Sequence, residues 1–335
     1  MKNILLKIIR LFISFEKRVK IFWLGKKLKL TFSSSYNTTR NPEDLELAEE
    51  FVAFLNTKDE IELRTIINDL KNDLDEDSKE EIDKFIARKK YIFRHNLIEQ
   101  KDLFTKKELA EQKDCSKESV KTRKRIRKFN IQKYNPESFY AISSLRWLPD
   151  NIKDKLKNGI FVDLGAYDGD SAISLINYFD AKKVFSFEPE NTNFSILKDN
   201  AEIEKRIIPI KLGLSNRKGF SFISQLGSGS RMNNKVGEEI NIDTLDNFIK
   251  ENSIDKIDLI KMDIEGEELK ALEGSLETIK KNIPVLAISI YHSANDFFFI
   301  KKWLEEKDLG YKYFIKKAHP FSLCSETMLI AYNEK

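Results

Sequence analysis

Residues 160–171 read IFVDLGAYDGDS, and this stretch decides the fold. Ile160 to Leu164 has the length and apolar character of a buried strand, and it breaks at Gly165 into a turn that leads into a helix near Asp170. Gly165 and Gly169 let a ligand come close to the backbone, where side chains would clash with it. Asp163 and Asp168 add negative charge to the same loop. That charge repels a pyrophosphate and suits a cationic sulfonium or ammonium group. The spacing is G-x-x-x-G, whereas a dinucleotide loop uses G-x-G-x-x-G and keeps its helix N-terminus free for phosphate.

Outward from this loop, strand-like runs recur at Lys183 to Phe187, Ile207 to Leu212, Ile257 to Met262, Val285 to Ile290, Tyr311 to Lys316 and Thr327 to Tyr332. The earlier runs alternate with helical segments and the last two are joined by a loop. This pattern predicts an α/β fold: a Rossmann-like, mostly parallel seven-stranded sheet with an antiparallel edge. Ligands of such sheets bind beyond the carboxyl ends of the strands. Glu188 follows the second strand, where a carboxylate can accept both ribose hydroxyls of an adenosine. Together with the acidic first loop, it favours S-adenosylmethionine over a nicotinamide dinucleotide. The fourth strand runs into Asp263-Ile264-Glu265-Gly266, two carboxylates before a tight turn. His292 follows the fifth strand, either as a general base for a hydroxyl or as a hydrogen-bonded structural histidine. Lys261 and Glu268 are expected to support the fold. Asp263 and Glu265 lack a third ligand that the sequence can name, so no metal is expected.

The 335 residues carry 58 basic and 54 acidic side chains, and this near balance does not point to a nucleic-acid partner. Cys115 and Cys324 are isolated, which argues for a reducing, cytoplasmic compartment and against a structural zinc site. Residues 1–35 form a basic segment: the first thirty carry nine Lys or Arg against Glu16 alone. Lys7 and Arg10 interrupt its apolar run, which falls short of the roughly 18 residues needed to span a bilayer. It reads as an amphipathic helix, either at the inner membrane surface or packed on its own domain. Residues 36–140 read as a helical region, with no glycine between Gly25 and Gly159, and residues 141–335 as the catalytic domain. Within the helical region, residues 105–129 have a local helix-turn-helix pattern. Asp114-Cys115-Ser116 would form the turn and Glu118 to Arg127 a basic recognition helix; the alternative is a solvated basic helix, capped by Ser116, that packs against the catalytic domain or faces an acidic substrate.

VDLGAYDGDSA, FSFEPE, GSGSRM at Gly227 to Met232, IDTLDNF, IKMDIEGEELKALEGS, PVLAISIYH and ETMLIAY together resemble the FkbM family of methyltransferases, over about Leu145 to Tyr332. The resemblance implies a class I methyltransferase fold, S-adenosylmethionine as donor, and O-methylation, often of sugar hydroxyls in bacterial glycans or natural products. It implies that Asp163, Gly165 and Gly169, with Ala166, Asp168 and Ser171 in the same loop, hold the methionine portion and Glu188 the ribose. Asp263 and Glu265 match the D-x-E-G motif beside the methyl group, His292 matches a histidine after the fifth strand, and Ser228 to Arg231 would cover the site. The expected partner is a glycan or sugar-nucleotide acceptor, with peripheral membrane contact through residues 1–30. The competing readings are a nucleic-acid-binding protein using residues 105–129 and a non-catalytic scaffold of the same fold.

Overall fold

The computed structural model describes residues 42–94, 103–223, 232–233 and 237–334, with backbone alone at 42–44 and 232–233. The N-terminal basic segment and the predicted Ser228–Arg231 loop lie outside the described residues.

In chain order the strands are β1 (Ile160–Leu164), β2 (Lys183–Phe187), β3 (Ile207–Ile210), β4 (Gly213–Leu214), β5 (Gly219–Ile223), β6 (Met232–Asn233), β7 (Glu238–Asp243), β8 (Leu259–Met262), β9 (Val285–Ser289), β10 (Lys312–Lys317) and β11 (Thr327–Tyr332). Seven of them form one sheet in the order β10-β11-β9-β8-β1-β2-β3. Its centre is parallel, and β11 pairs antiparallel with both β9 and β10. The central strands are apolar because helices cover both faces: every residue of β8 and β9 is buried. β1 leads outward to β2 and β3 on one side, and the chain later returns to β8 on the other. The β1–β8 boundary is therefore the switch point at which an open α/β sheet leaves a crevice. Register places Asp163 of β1 beside Lys261 of β8.

A smaller sheet, β4-β7-β5-β6, sits between β3 and β8 in the chain, where the sequence reading had no strands. β5 and β7 mix buried with more exposed residues and contain Gly, Ser, Asn and Glu, so they lack the continuous apolar runs of the main sheet.

The helices Pro42–Asn56, Glu60–Lys71 and Glu76–Arg94 share one core cluster of the main domain, and Lys106–Ile126 shares the other through Cys115 and Ile126. Phe85 stacks on Phe297 with ring centroids 4.1 Å apart, and Phe51 meets Phe85 edge-on at 5.3 Å. Arg88 forms a bidentate pair with Glu108, at 2.8 and 2.7 Å, and Lys317 of β10 reaches the same carboxylate at 2.9 Å. This buried trio ties two N-terminal helices to the sheet edge.

The helix-turn-helix pattern is corrected. Lys106–Ile126 is one unbroken helix, begun by a capping box in which Thr105 and Glu108 satisfy each other's backbone amides. Ser116 caps nothing, because its hydroxyl donates to the Gln112 carbonyl one turn back at 2.8 Å. Cys115 faces the core, 1% exposed. With no glycine or proline between 106 and 126, nothing interrupts a run rich in Lys, Glu and Arg. Among the described residues, no helix is long and apolar enough to cross a membrane.

Candidate active site

The loop after β1 is shaped from beneath by buried polar groups. Asp163 is fully buried, accepting a 2.6 Å hydrogen bond from the Ser171 hydroxyl and lying 3.1 Å from the Lys261 ammonium. Lys261 also donates to the Gly165 carbonyl at 2.9 Å. Burial opposes its charge, but Asp163, Asp263 and Asp170 outweigh that and raise its pKa. Gly165 has φ 77°, and a Cβ there would lie 1.9 Å from the Asp263 carbonyl oxygen, so the approach of β8 demands glycine. Asp168 accepts from the backbone amides of Gln132 at 2.9 Å and Asp170 at 3.2 Å. Burial and the neighbouring Asp170 push it up to about 7. Gly169, at φ 90°, precedes the Asp170–Phe179 helix, and Ala166 is wholly buried. Of the predicted donor-loop residues, Gly165 lines the adjoining cavity, while Asp163, Ala166, Asp168, Gly169 and Ser171 lie outside its lining.

That cavity has an empty volume of about 580 Å³ and is bounded by Gly165, Tyr167, Glu188, Asn193, Asp263 and Glu265, among others. Glu188 follows β2. Its oxygens accept from the Tyr167 amide at 2.9 Å and the Glu190 amide at 3.0 Å, which fixes the carboxylate and leaves lone pairs for further donors. Burial pushes it up to about 7.

Glu265 (φ 60°) and Gly266 (φ 99°) make the turn that follows β8. Glu268 holds this turn together by accepting from the Ile264 amide at 3.0 Å and the Gly266 amide at 2.8 Å. The same carboxylate lies 2.9 Å from His292 Nδ1. The opposite ring nitrogen, Nε2, stands 3.5 Å from Asp263 Oδ1 and 3.4 Å from Glu265 Oε2. Burial disfavours a charged imidazole, yet Glu265 and Glu268 more than offset this and hold His292 well above its ordinary value. Asp263 is raised by burial, with Lys261 and His292 opposing and Glu265 and Glu268 reinforcing. Asp263, Glu268 and His292 each offer a ligand atom within 4.8 Å of the others. Each Glu268 oxygen also accepts a backbone amide, so the acid–imidazole pair is hydrogen-bonded into the turn after β8.

The structure thus brings Asp263, Glu265 and His292 together and sets Glu188 on the same cavity as the two acids. The sequence reading missed a facing group. Glu137 follows Pro136 in a short helix, its Oε2 lying 3.7 Å from His319 Nε2, and the Tyr291 hydroxyl donates to Glu326 at 3.0 Å. Burial and Asp170 push Glu137 up to about 8. Burial, with Lys133 and Lys317, lowers His319 to about 3, and its Nδ1 accepts from the Phe321 amide at 3.2 Å. No local motif marks these residues, because segments far apart in the chain bring them together.

This strand order, with a glycine-and-acid loop at its switch point, defines a class I methyltransferase fold. Residues 163–313 match the family described as the methyltransferase FkbM domain, so this part of the chain carries a methyltransferase domain of FkbM type. The chain is similar to hexuronic acid methyltransferase AglP of Haloferax volcanii, 26% identical over 193 residues, covering 55% of this chain and 77% of that protein. Among solved structures, methyltransferase FkbM from Methylobacillus flagellatus KT has TM-score 0.45 and 24% identity, covering 60% of this chain and 48% of that one. This chain therefore spans about half the length of that solved chain. TYW2 of M. jannaschii, solved in complex with AdoMet, has TM-score 0.28 and 15% identity, covering 57% of this chain and 77% of that one.

Proposed function

We propose that the chain transfers a methyl group from S-adenosylmethionine to a hydroxyl of a sugar in a glycan or its precursor. One observation carries this reading: a single cavity is lined by Glu188, which follows β2 and suits ribose hydroxyls, and by Asp263 and Glu265, which follow β8 on the other side of β1. Carboxylates after β8 favour a sulfonium over a phosphate. The name of the haloarchaeal relative, a hexuronic acid methyltransferase, supports a sugar acceptor.

Transfer from sulfonium to hydroxyl is an in-line displacement that depends mainly on alignment, and alignment can supply about 7 to 11 kcal/mol. Asp263 takes the hydroxyl proton in our reading, because its surroundings raise its proton affinity. His292 already holds a proton at neutral pH, and Glu268 fixes its ring, so it orients Asp263 and Glu265. Residues 1–30 fit a peripheral contact with the inner membrane, where a glycan precursor would be presented.

The test is incubation of the full chain with methyl-labelled S-adenosylmethionine and a panel of sugars, followed by mass spectrometry. The proposal expects label on a sugar oxygen. Label confined to protein or to nitrogen acceptors would contradict it.

A further inference from the structure

The sequence could name no third ligand to join Asp263 and Glu265, and the fold supplies one. Asp263 and Glu265 follow β8, His292 follows β9, and these two strands pair in parallel, so the three side chains meet at the carboxyl end of the sheet. His292 is enclosed, its side chain 1% exposed. Its Nδ1 lies 2.9 Å from Glu268, a fully buried carboxylate anchored by the Ile264 and Gly266 amides. With Nδ1–H donating to Glu268, the imidazole turns Nε2 toward Asp263 and Glu265.

The spacing beyond Nε2 is too long for hydrogen bonds. Nε2 stands 3.5 Å from Asp263 Oδ1 and 3.4 Å from Glu265 Oε2, whereas an N–H···O bond spans about 2.7–3.2 Å. Neither Nε2 nor Asp263 Oδ1, both buried atoms, has a hydrogen-bond partner among the described residues. Bonds of about 2.0–2.2 Å from nitrogen and oxygen to one tetrahedral ion set its ligands about 3.3–3.6 Å apart, which matches both separations. The Glu268–His292 contact is also the arrangement that stands behind a metal-bound histidine, where a carboxylate takes the Nδ1 proton's hydrogen bond and leaves Nε2 as the ligand. A buried ligand atom, two carboxylates at ligand spacing and an outer carboxylate therefore converge on one point.

We propose that His292 Nε2, Asp263 and Glu265 hold a divalent cation of the first transition row, with Glu268 as the outer carboxylate. The mixed nitrogen and oxygen donors suit such an ion better than Mg²⁺ or Ca²⁺, which favour oxygen alone. In the ion-free chain the Nε2 proton takes this place, and the ion exchanges for it. Asp263, Glu265 and Glu268, ionised, carry more negative charge than the ion brings, so the filled site stays net negative and compatible with a sulfonium beside it. Asp263 and Glu265 also line the cavity, so a fourth ligand position faces it. An acceptor hydroxyl in that position becomes a stronger acid. This use rests on the methyltransferase reading; the ion site itself does not.

The experiment titrates Co²⁺ alone into the full chain after dialysis against a chelator, with visible absorption reporting the coordination and calorimetry the affinity. One equivalent is expected to bind, with the absorption of an ion held by nitrogen and oxygen, and Zn²⁺ is expected to displace it. Glu268→Gln is expected to weaken binding by about 10- to 100-fold, the usual effect of losing an outer partner of a ligand. His292→Gln is expected to abolish it, and Asp263→Asn and Glu265→Gln, which keep the side-chain shape, carry the same test should His292→Gln fail to fold. Absence of saturable Co²⁺ binding, or binding unweakened in folded Asp263→Asn and Glu265→Gln variants, overturns the proposal. Neither donor nor acceptor is present in this titration, so its failure is distinct from a failure of the methyltransferase reading.

Discussion

Along the donor wall, Gly165, Glu188, Asp263 and Glu265 each lie within a few residues of a strand end, and the parallel register of β1, β2 and β8 aligns them. The facing wall has no such frame, because Glu137, His319 and Glu326 meet only where a short helix packs near the turn between β10 and β11. The two histidines make the contrast electrical. His292 is surrounded by carboxylates and held charged, whereas His319, beside Lys133 and Lys317, is lowered to about 3 and stays neutral. One wall is fixed by the sheet, which every member of the architecture must keep. The other is fixed by tertiary packing, which can change without disturbing the fold.

Replacing Asp263 tests the donor wall most severely. Asp263→Asn is expected to lower methyl transfer by about 10²- to 10⁴-fold, the usual range for loss of a general base, with a smaller loss of donor affinity. Steady-state rates beside calorimetric titration separate the two quantities.

The next effect concerns the support of the facing wall. Glu108→Gln breaks the buried contact with Arg88 and Lys317 and is expected to cost about 3 to 5 kcal/mol in urea unfolding. Arg88 and Lys317 outweigh burial and hold the Glu108 carboxyl below its free value of 4.5. Its contribution is therefore complete above that pH and is lost as the pH falls through the lower, folded-state value. The stability difference between wild type and variant should shrink correspondingly in acid.

Glu188→Gln is expected to weaken S-adenosylmethionine binding by about tenfold, the scale of a hydrogen bond to a charged group. Burial sets this carboxyl at about 7, so below that pH it is protonated and its capacity as an acceptor falls. Wild-type affinity should rise with pH through about 7 and level off, and the variant should lack this step. The smallest change is expected from His319→Ala: donor affinity within about twofold, with a severalfold rise in acceptor KM. A donor-affinity loss equal to that of Glu188→Gln would erase the distinction between the walls.

The sequence made the donor wall legible because each of its residues is local to a strong signal: a buried strand, then glycine, then acid. The seven main strands were readable for the same reason. β5 and β7 were not, since their alternating Gly, Ser, Asn and Glu residues resemble loop in a single sequence. Glu137 and His319 were invisible because neither carries a motif and their proximity exists only in the folded chain. The apparent turn at Asp114-Cys115-Ser116 misled for a related reason: Ser116 satisfies itself on the preceding helical turn and has no need of a helix end. Asp163, Asp168 and Ser171, read as donor-loop residues, also hold the loop in shape: Ser171 donates to Asp163, and the Gln132 amide to Asp168.

The central claim is a sulfonium donor in the acid-lined cavity, and calorimetric titration of the full chain with S-adenosylmethionine and, separately, with NAD tests it most directly. The account predicts saturable one-to-one binding of S-adenosylmethionine, weakened in Glu188→Gln, and no measurable binding of NAD. Preferential binding of NAD, or S-adenosylmethionine binding indifferent to Glu188, would contradict it.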